Sequence, residues 1–263
     1  MALMRRTPRM ILAGLVIAAG ATVVQAQTLE TETARLLRKG TWKIGEAYEY
    51  QTSSEGTEGA VPLTLAYGIT DKVELLVEPV VYATVRPKVG RRATGAGDLE
   101  TTLSYRFHEE SGSMPALVLA AEAKIPTARD TLIGTRQADF AGYLIASKRF
   151  GRLDTHANVS YTWVGQPPGA SLSNVVGFAL AGVYRPNERT QLFGEVLGNT
   201  GSQPGSESGS PATGAVPEAA GQELVGTLGA GRYLGPKLLL YVAVSYDNNR
   251  AFQVRPGLIF QFR

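Results

Sequence analysis

The 263-residue chain contains no cysteine, only two histidines and, after residue 26, no apolar run near the ~20 residues that a membrane-spanning helix needs. Without cysteine there is no disulfide, thiolate nucleophile or cysteine-ligated metal, and two histidines exclude a three-histidine zinc site. No nucleotide-binding loop is present, since Gly95-Ala96-Gly97-Asp98 opens a predicted strand instead of joining a strand to a helix. We therefore expect no enzyme activity, no cofactor and no bound metal.

The first 26 residues have the three regions of a secretory signal peptide. Arg5, Arg6 and Arg9 precede 15 mostly apolar residues, 10–24, and Val24-Gln25-Ala26 supplies small residues where a signal peptidase reads. An anchor helix would need ~20 apolar residues, so we predict cleavage after Ala26. Cleavage takes three of the 26 basic residues and no acid, which leaves 23 basic and 23 acidic residues. No basic patch then favours nucleic acid.

From Gly40 onward, polar and apolar residues alternate in segments separated by connectors rich in Gly, Pro and Ser. A period of two indicates β-strands rather than helices. In one segment Leu153 and Trp163 share a face, and His156 and Ser160 lie on the other. The pattern predicts twelve strands, at 40–51, 61–69, 72–84, 97–107, 115–126, 138–149, 152–164, 174–185, 189–198, 222–233, 236–247 and 251–262.

A β-sandwich and a barrel could both contain such strands, and the connectors separate the two. Short connectors (70–71, 108–114, 150–151, 186–188, 234–235) alternate with longer ones (52–60, 85–96, 127–137, 165–173, 199–221), and only 248–250 is short out of turn. This rhythm is typical of outer-membrane barrels. We predict an all-β, up-and-down antiparallel transmembrane β-barrel of about 12 strands over residues 40–263.

Aromatic residues fall near the ends of the predicted strands, where a barrel carries two girdles. Strand preference alone would explain their presence but not this placement. One rim is predicted to contain Trp42, Tyr67, Tyr105, Phe107, Tyr184, Tyr233, Phe260 and Phe262, and the other Tyr50, Tyr82, Phe140, Tyr161, Trp163, Tyr246 and Phe252.

Ionisable side chains opposite the apolar faces are expected to line the lumen. Because unpaired buried charges are costly, the mixed signs of these residues predict either ion pairs along the inner wall or a water-filled interior. A barrel of this size could hold a narrow passage or be filled by side chains. Glu46 shares a face with Trp42 and Ile44, which suggests a bulge or a misassigned first strand. The lumen-lining candidates are Glu74, Glu78, Glu100, Arg106, Glu122, Lys124, Asp139, Arg149, Asp154, His156, Glu195 and Arg255.

Two further segments lie outside the strand pattern. Residues 27–39 are polar and are predicted to form a periplasmic segment before the first strand. They could instead enter the lumen, although nothing in their composition requires it. Residues 198–221 contain 6 Gly, 4 Ser and 3 Pro, a composition that favours a flexible outside loop.

One constellation resembles catalytic chemistry. His156, Asn158 and Ser160 share a strand face, and a membrane-embedded acyl hydrolase of the outer-membrane phospholipase type uses the same residue types. That enzyme presents them outwards to lipid, whereas Val159 and Trp163 here place the three residues on the lumen side. Polar lining of the lumen is therefore the favoured interpretation.

Short motifs spread over nearly the whole chain after residue 26 carry a family resemblance. They are Lys39-Gly40-Thr41-Trp42, LAYGITDKVEL at 65–75, Gly97-Asp98-Leu99, SYRF at 104–107, Phe193-Gly194-Glu195 and PGLIFQF at 256–262. Together they resemble the outer-membrane barrel family named for the MetA pathway of phenol degradation. The resemblance implies movement of small, often aromatic or hydrophobic, compounds and no catalytic residues. It also implies that Phe262 is recognised by the barrel assembly machinery, with Arg263 as an unusual extra residue.

The expected role is thus a monomeric channel or transporter in a Gram-negative-type outer membrane. Small-molecule solutes, outer-membrane lipids and the assembly machinery are its expected partners, and nucleic acid is not. Two alternatives stay open: a closed barrel whose loops bind a partner or surface, and a lipid acyl hydrolase using Ser160 and His156.

Overall fold

The computed structural model describes residues 29–169, 171–202 and 222–263, which form one closed antiparallel β-sheet. The predicted signal peptide and most of the predicted loop 198–221 lie outside these ranges. Within them no helix is long and apolar enough to cross a membrane. The strands are β1 (Trp42–Ala47), β2 (Glu49–Thr52), β3 (Gly56–Thr70), β4 (Val73–Pro87), β5 (Ala93–Gly95), β6 (Leu99–His108), β7 (Ala116–Ile125), β8 (Asp139–Phe150), β9 (Leu153–Trp163), β10 (Val175–Asn187), β11 (Thr190–Asn199), β12 (Glu223–Tyr233), β13 (Leu238–Asp247) and β14 (Phe252–Phe262).

The fourteen strands form twelve segments that each cross the barrel wall once, and we call each such segment a stave. Two staves consist of a pair of short strands, and the other ten are single strands. β1 and β2 are halves of a single strand interrupted at Tyr48, and both pair with β3 and β14. β5 and β6 both pair with β4. The pairing of β1 with β14 closes the barrel, and every other stave pairs with its neighbours in sequence. The predicted twelve-stranded up-and-down barrel is confirmed.

We call the barrel end with the short connections the turn end and the opposite end the loop end. At the loop end, β3 and β4 extend beyond the predicted strands. The connector predicted over 52–60 is a hairpin turn of residues 53–55, since β3 begins at Gly56. At Gly56 a side chain would collide with the main chain of Arg86 and approach Pro87 Cα to 2.9 Å. Glycine here therefore permits close strand contact, although in sequence it resembles a loop signal.

The outer face of the barrel carries the apolar side chains and most of the aromatic rims. Tyr233, predicted for the turn-end rim, is the exception. It is only 7% exposed, and its hydroxyl donates to Gln191 Oε1 over 3.1 Å inside the barrel. Among the predicted rim residues, the exposed ones are Trp42, Tyr105, Phe107, Tyr184 and Phe260 at the turn end, and Tyr50, Tyr82, Phe140, Tyr161, Trp163, Tyr246 and Phe252 at the loop end.

Glu46 lies on the outer face, between two leucines of the neighbouring strands. Its register partners are Leu63 in β3 and Leu258 in β14, with no shift along β1. The bulge and the misassigned strand suggested by the sequence are therefore both wrong. Glu46 is an acidic residue on an otherwise apolar outer surface.

Candidate pore and its internal segment

Residues 29–39, which we call the inner segment, run inside the barrel. The segment has no regular secondary structure, and its hydrogen bonds go to side chains of the surrounding wall. Inward-facing apolar residues pack against it: Leu29 contacts the cluster of Ala181, Val183 and Phe193, and Ala34 lies in a cluster with Ala116. The sequence predicts a periplasmic segment at 27–39, with the lumen as the alternative, and these contacts place residues 29–39 in the lumen.

The far end of the inner segment is held by one wall carboxylate and one guanidinium. Glu195 in β11 accepts hydrogen bonds from the Thr31 main-chain nitrogen (2.9 Å) and hydroxyl (2.8 Å), and from the Glu30 nitrogen (3.3 Å). The Glu30 carboxylate accepts from Arg255 Nη1 of β14 at 3.0 Å. Charge-assisted bonds of this kind are the stronger ones, so they fix this end of the segment.

The middle of the inner segment contacts a histidine and a serine of the wall. The Ala34 nitrogen donates to Ser147 Oγ (2.8 Å), and Ser147 Oγ lies 2.8 Å from His156 Nδ1. Thr33 Oγ1 is 3.2 Å from the same ring nitrogen. Four residues along one strand separate His156 from Ser160 by about 13 Å, because each residue rises ~3.3 Å. The structure therefore pairs His156 with Ser147 and Thr33, and the suggested Ser160–His156 arrangement does not form.

Towards the turn end, an arginine of the inner segment bridges two acids. Arg35 bonds Asp154 in β9, with Nη2 to Oδ1 at 3.0 Å, and also Glu110 in the connection between β6 and β7. Two residues on, the Leu37 nitrogen donates to Glu74 Oε2 at 2.6 Å. The inner segment is thus tied to five staves, which contain β4, β8, β9, β11 and β14, and to the β6–β7 turn before it joins β1.

The turn residue Glu110 is surrounded by basic groups that favour its ionised form. Burial alone would raise the pKa of its carboxyl. Hydrogen bonds from Arg35, from the Arg149 main chain and from Lys148 outweigh burial and lower that pKa to about 2. Glu110 therefore stays ionised in mildly acidic solution and keeps holding Arg35.

Glu30 has the opposite behaviour. Burial raises its pKa from 4.5 to about 7, Arg255 opposes the rise, and the nearby carboxylates of Glu195 and Glu49 add to it. A docked inner segment therefore holds a proton on Glu30 that a solvent-exposed one releases above pH 4.5.

Attachment of the inner segment should consequently weaken as pH rises. The contribution of Glu30 is fully present below about pH 4.5 and is lost as pH passes through about 7. We expect amide hydrogen exchange of residues 29–34, corrected for intrinsic pH effects, to be faster at pH 8 than at pH 5. Glu30→Gln should flatten this dependence, whereas Glu55→Gln on the exposed hairpin should not. An unchanged profile in Glu30→Gln would contradict the assignment.

All twelve lumen-lining candidates lie on inward-facing register positions of the strands. The structure brings some together: Lys124 Nζ is 2.6 Å from Asp139 Oδ2, and Arg149 Nη2 is 2.6 Å from Asp154 Oδ2. Arg106 instead reaches the turn end, where Nη2 donates to the Asp71 carbonyl at 2.6 Å. The positions follow from the pairing of Glu74, Glu78, Glu100, Arg106, Glu122, Lys124, Asp139, Arg149, Asp154, His156, Glu195 and Arg255 in the sheet.

A cavity of about 120 Å³ lies beside the far end of the inner segment. Sequence reasoning missed several of the residues that surround it. Glu49 is one of them, and like Lys43, which lies outside the lining, it is buried on the inner face of the first stave; alternation with Trp42 was the available signal. The cavity is lined by Leu29, Glu30, Glu32, Gly45, Glu46, Ala47, Glu49, Pro62, Thr64, Glu78, Glu100, Glu122, Tyr143, Tyr241, Arg255 and Ile259.

The connection between β7 and β8 folds inward at the loop end. Ile133 is 2% exposed and packs with the inward-facing Val80 and Val85. On the outside, Arg91 and Asp130 form two hydrogen bonds of 2.6 Å each. The hydrogen bond from Arg91 lowers the pKa of Asp130 to about 2, so this exposed pair stays charged in acid. The lumen is therefore narrowed both by the inner segment and by this loop.

Within the described ranges, no group of three or more histidine or acidic side chains is arranged to hold a metal ion. The ionisable residues of the lumen are instead held by one another, by hydroxyls and by the inner segment. Their arrangement is suited to attracting or repelling charged solutes.

Comparisons with known proteins address the fold. No family model and no curated protein matches the chain, so the MetA-pathway resemblance stays a prediction. The chain is similar to the COG4313 outer membrane channel from Pseudomonas putida F1, with a TM-score of 0.66 and 14% identity over 87% of this chain and 98% of that one. It is also similar to NanC porin (0.58, 10%, 82% and 98%) and to KdgM porin in complex with disordered oligogalacturonate (0.55, 9%, 83% and 99%). The barrel fold is that of outer-membrane channels.

Proposed function

We propose that this chain is an outer-membrane channel for the passive passage or uptake of small molecules. The observation that carries the proposal is the inner face of the barrel. Ionisable side chains and a cavity occupy its middle, where a purely structural barrel would be expected to pack apolar side chains. The inner segment and the inward-folded loop then set how wide the pathway is.

Several finer points belong to the same proposal. Export would use cleavage after Ala26, and the mature chain would act as a monomer placed in the outer membrane by the assembly machinery. The aromatic or hydrophobic cargo implied by the family resemblance receives little support from a cavity rich in glutamate. Small polar solutes fit its lining better, with Tyr143 and Tyr241 as the only aromatic contacts there.

A second function has one observation in its favour. Because the inner segment and the loop around Ile133 both occupy the lumen, the barrel could stay closed and serve as a scaffold for a surface partner. An acyl hydrolase has no comparable support, since Ser147 and His156 lie beneath the inner segment in the lumen.

Planar-bilayer recording tests the proposal. The refolded chain without residues 1–26 should give discrete conductance steps that grow with KCl concentration. The same recording is made on a chain that begins at Leu37 and so lacks most of the inner segment. If well-folded protein of both lengths stays silent, the channel proposal is wrong and the closed scaffold is favoured.

A further inference from the structure

The middle of the pathway carries far more negative than positive charge. Six glutamates that line the cavity lie inside the barrel, and Arg255 is the only basic residue in that lining. We propose that the pathway selects for cations, both inorganic cations and small organic ammonium compounds. This inference rests on the proposed channel function and adds to it the charge class of the solute.

Wall carboxylates crowd one side of the cavity. Glu78 in β4 lies directly opposite Glu100 in β6, and Glu100 lies opposite Lys124 in β7. The Lys124 ammonium also binds Asp139, at 2.6 Å. Lys124 and the buried Lys43, which attracts Glu78 electrostatically, are the ammonium groups near these residues. With Glu122, the acids Glu78, Glu100 and Asp139 outnumber them, which leaves this side negative.

Hydroxyl groups, rather than basic side chains, hold two of these glutamates. Glu78 Oε1 accepts from Thr64 Oγ1 at 3.0 Å. Glu122 Oε2 accepts from Tyr143 Oη at 3.2 Å and from Thr102 Oγ1 at 3.3 Å. A hydroxyl hydrogen bond stabilises a carboxylate without adding a positive charge, so these contacts do not offset the charge of the two glutamates.

The opposite side of the cavity shows the same imbalance. Arg255 Nη1 lies 3.0 Å from Glu30 Oε1 and 3.6 Å from Glu49 Oε1, so a single guanidinium is shared by two acidic side chains. The adjacent Glu195 is engaged by neutral donors of Thr31. Arg255 therefore does not offset the charge of the wall across from it.

The basic residues near the turn end cannot reverse this sign. Arg35 is shared by Glu110 and Asp154, and Arg149 also binds Asp154. A cavity with low-dielectric walls and one sign of charge concentrates counterions and excludes co-ions. Cations should therefore enter the narrowed part of the lumen, and anions should be repelled there.

The reversal potential in a KCl gradient across a planar bilayer measures this preference. For the chain without residues 1–26, the reversal potential should lie close to the equilibrium potential of potassium. This corresponds to a permeability ratio of potassium to chloride well above one. Glu78→Gln/Glu122→Gln keeps acceptors for the hydroxyls and leaves every contact of the inner segment in place, and it should lower the ratio several-fold. In a gradient of tetramethylammonium chloride, the sign of the reversal potential should still show that the cation is more permeant than chloride.

The matched control carries the same change of two charges outside the lumen. Glu55→Gln/Glu188→Gln lies on exposed connections at the two barrel ends and should leave the ratio unchanged. Recordings are repeated in the chain that begins at Leu37, so that weak conductance of the longer chain does not hide selectivity. Discrete steps with a ratio at or below one, or a ratio insensitive to Glu78→Gln/Glu122→Gln, would overturn cation selection alone. Silence of both lengths would overturn the channel function together with it.

Discussion

A chain that begins at Leu37 should conduct several-fold more current per channel than the chain that keeps residues 29–36. In the complete structure those residues lie in the lumen and bridge from Asp154 near the turn end to Glu195 and Arg255 at mid-height. Removal takes away an extended peptide whose backbone excludes solvent, while all twelve staves retain their pairing partners. Single-channel conductance in planar bilayers measures the difference.

A peptide of residues 29–39 supplied to the shortened channel is the control. Because its hydrogen-bond partners remain on the wall, the added peptide should reduce the conductance again, and a scrambled peptide should not. Equal conductance of both chain lengths would mean that the inner segment is not the narrowing element. The loop around Ile133 would then be the remaining obstruction.

The barrel wall was predictable because its signal is local. Alternation along each strand assigns a face to every residue, and the register of β9 with β8 follows from the short turn at 151–152. Exceptions arise where a polar residue lies on the apolar outer face or an aromatic residue lies on the inner face. Glu46 is acidic on the outer face, and Tyr233 is an aromatic near the rim that turns inward because Gln191 offers its hydroxyl a partner.

The inner segment could not be placed from sequence, for a physical reason. Its structure depends on bonds to residues far away along the chain: Ala34 to Ser147 spans 113 positions, and Glu30 to Arg255 spans 225. An extended segment bonded to distant side chains has no period of its own. The acidic cavity was partly predictable, since Glu78, Glu100, Glu122 and Arg255 are inward by alternation, but Glu30 and Glu32 come from the inner segment.

Gly68→Val should detach the inner segment without changing any charge in the lumen. Gly68 in β3 is where the segment leaves the wall, and its own nitrogen donates to the Thr41 carbonyl at 3.0 Å. A Cβ at this position would collide with the Arg38 carbonyl oxygen and lie 2.8 Å from the Arg38 carbonyl carbon and 2.9 Å from the Leu37 oxygen. Because the colliding atoms are main chain, no side-chain rotation relieves the overlap, and the segment must move.

We expect Gly68→Val to raise the single-channel conductance towards that of the chain beginning at Leu37, and to speed hydrogen exchange at Ala34 and Leu37. Gly226→Val is the matched control, since no atom lies within 4 Å of the Cβ it would add and Gly226 lies on the outer face of β12, away from the lumen. It should fold and conduct like the unchanged protein. If Gly68→Val folds and also conducts like the unchanged protein, contact at Gly68 does not hold the inner segment. Its attachment then depends on the polar contacts with the wall and with the β6–β7 turn.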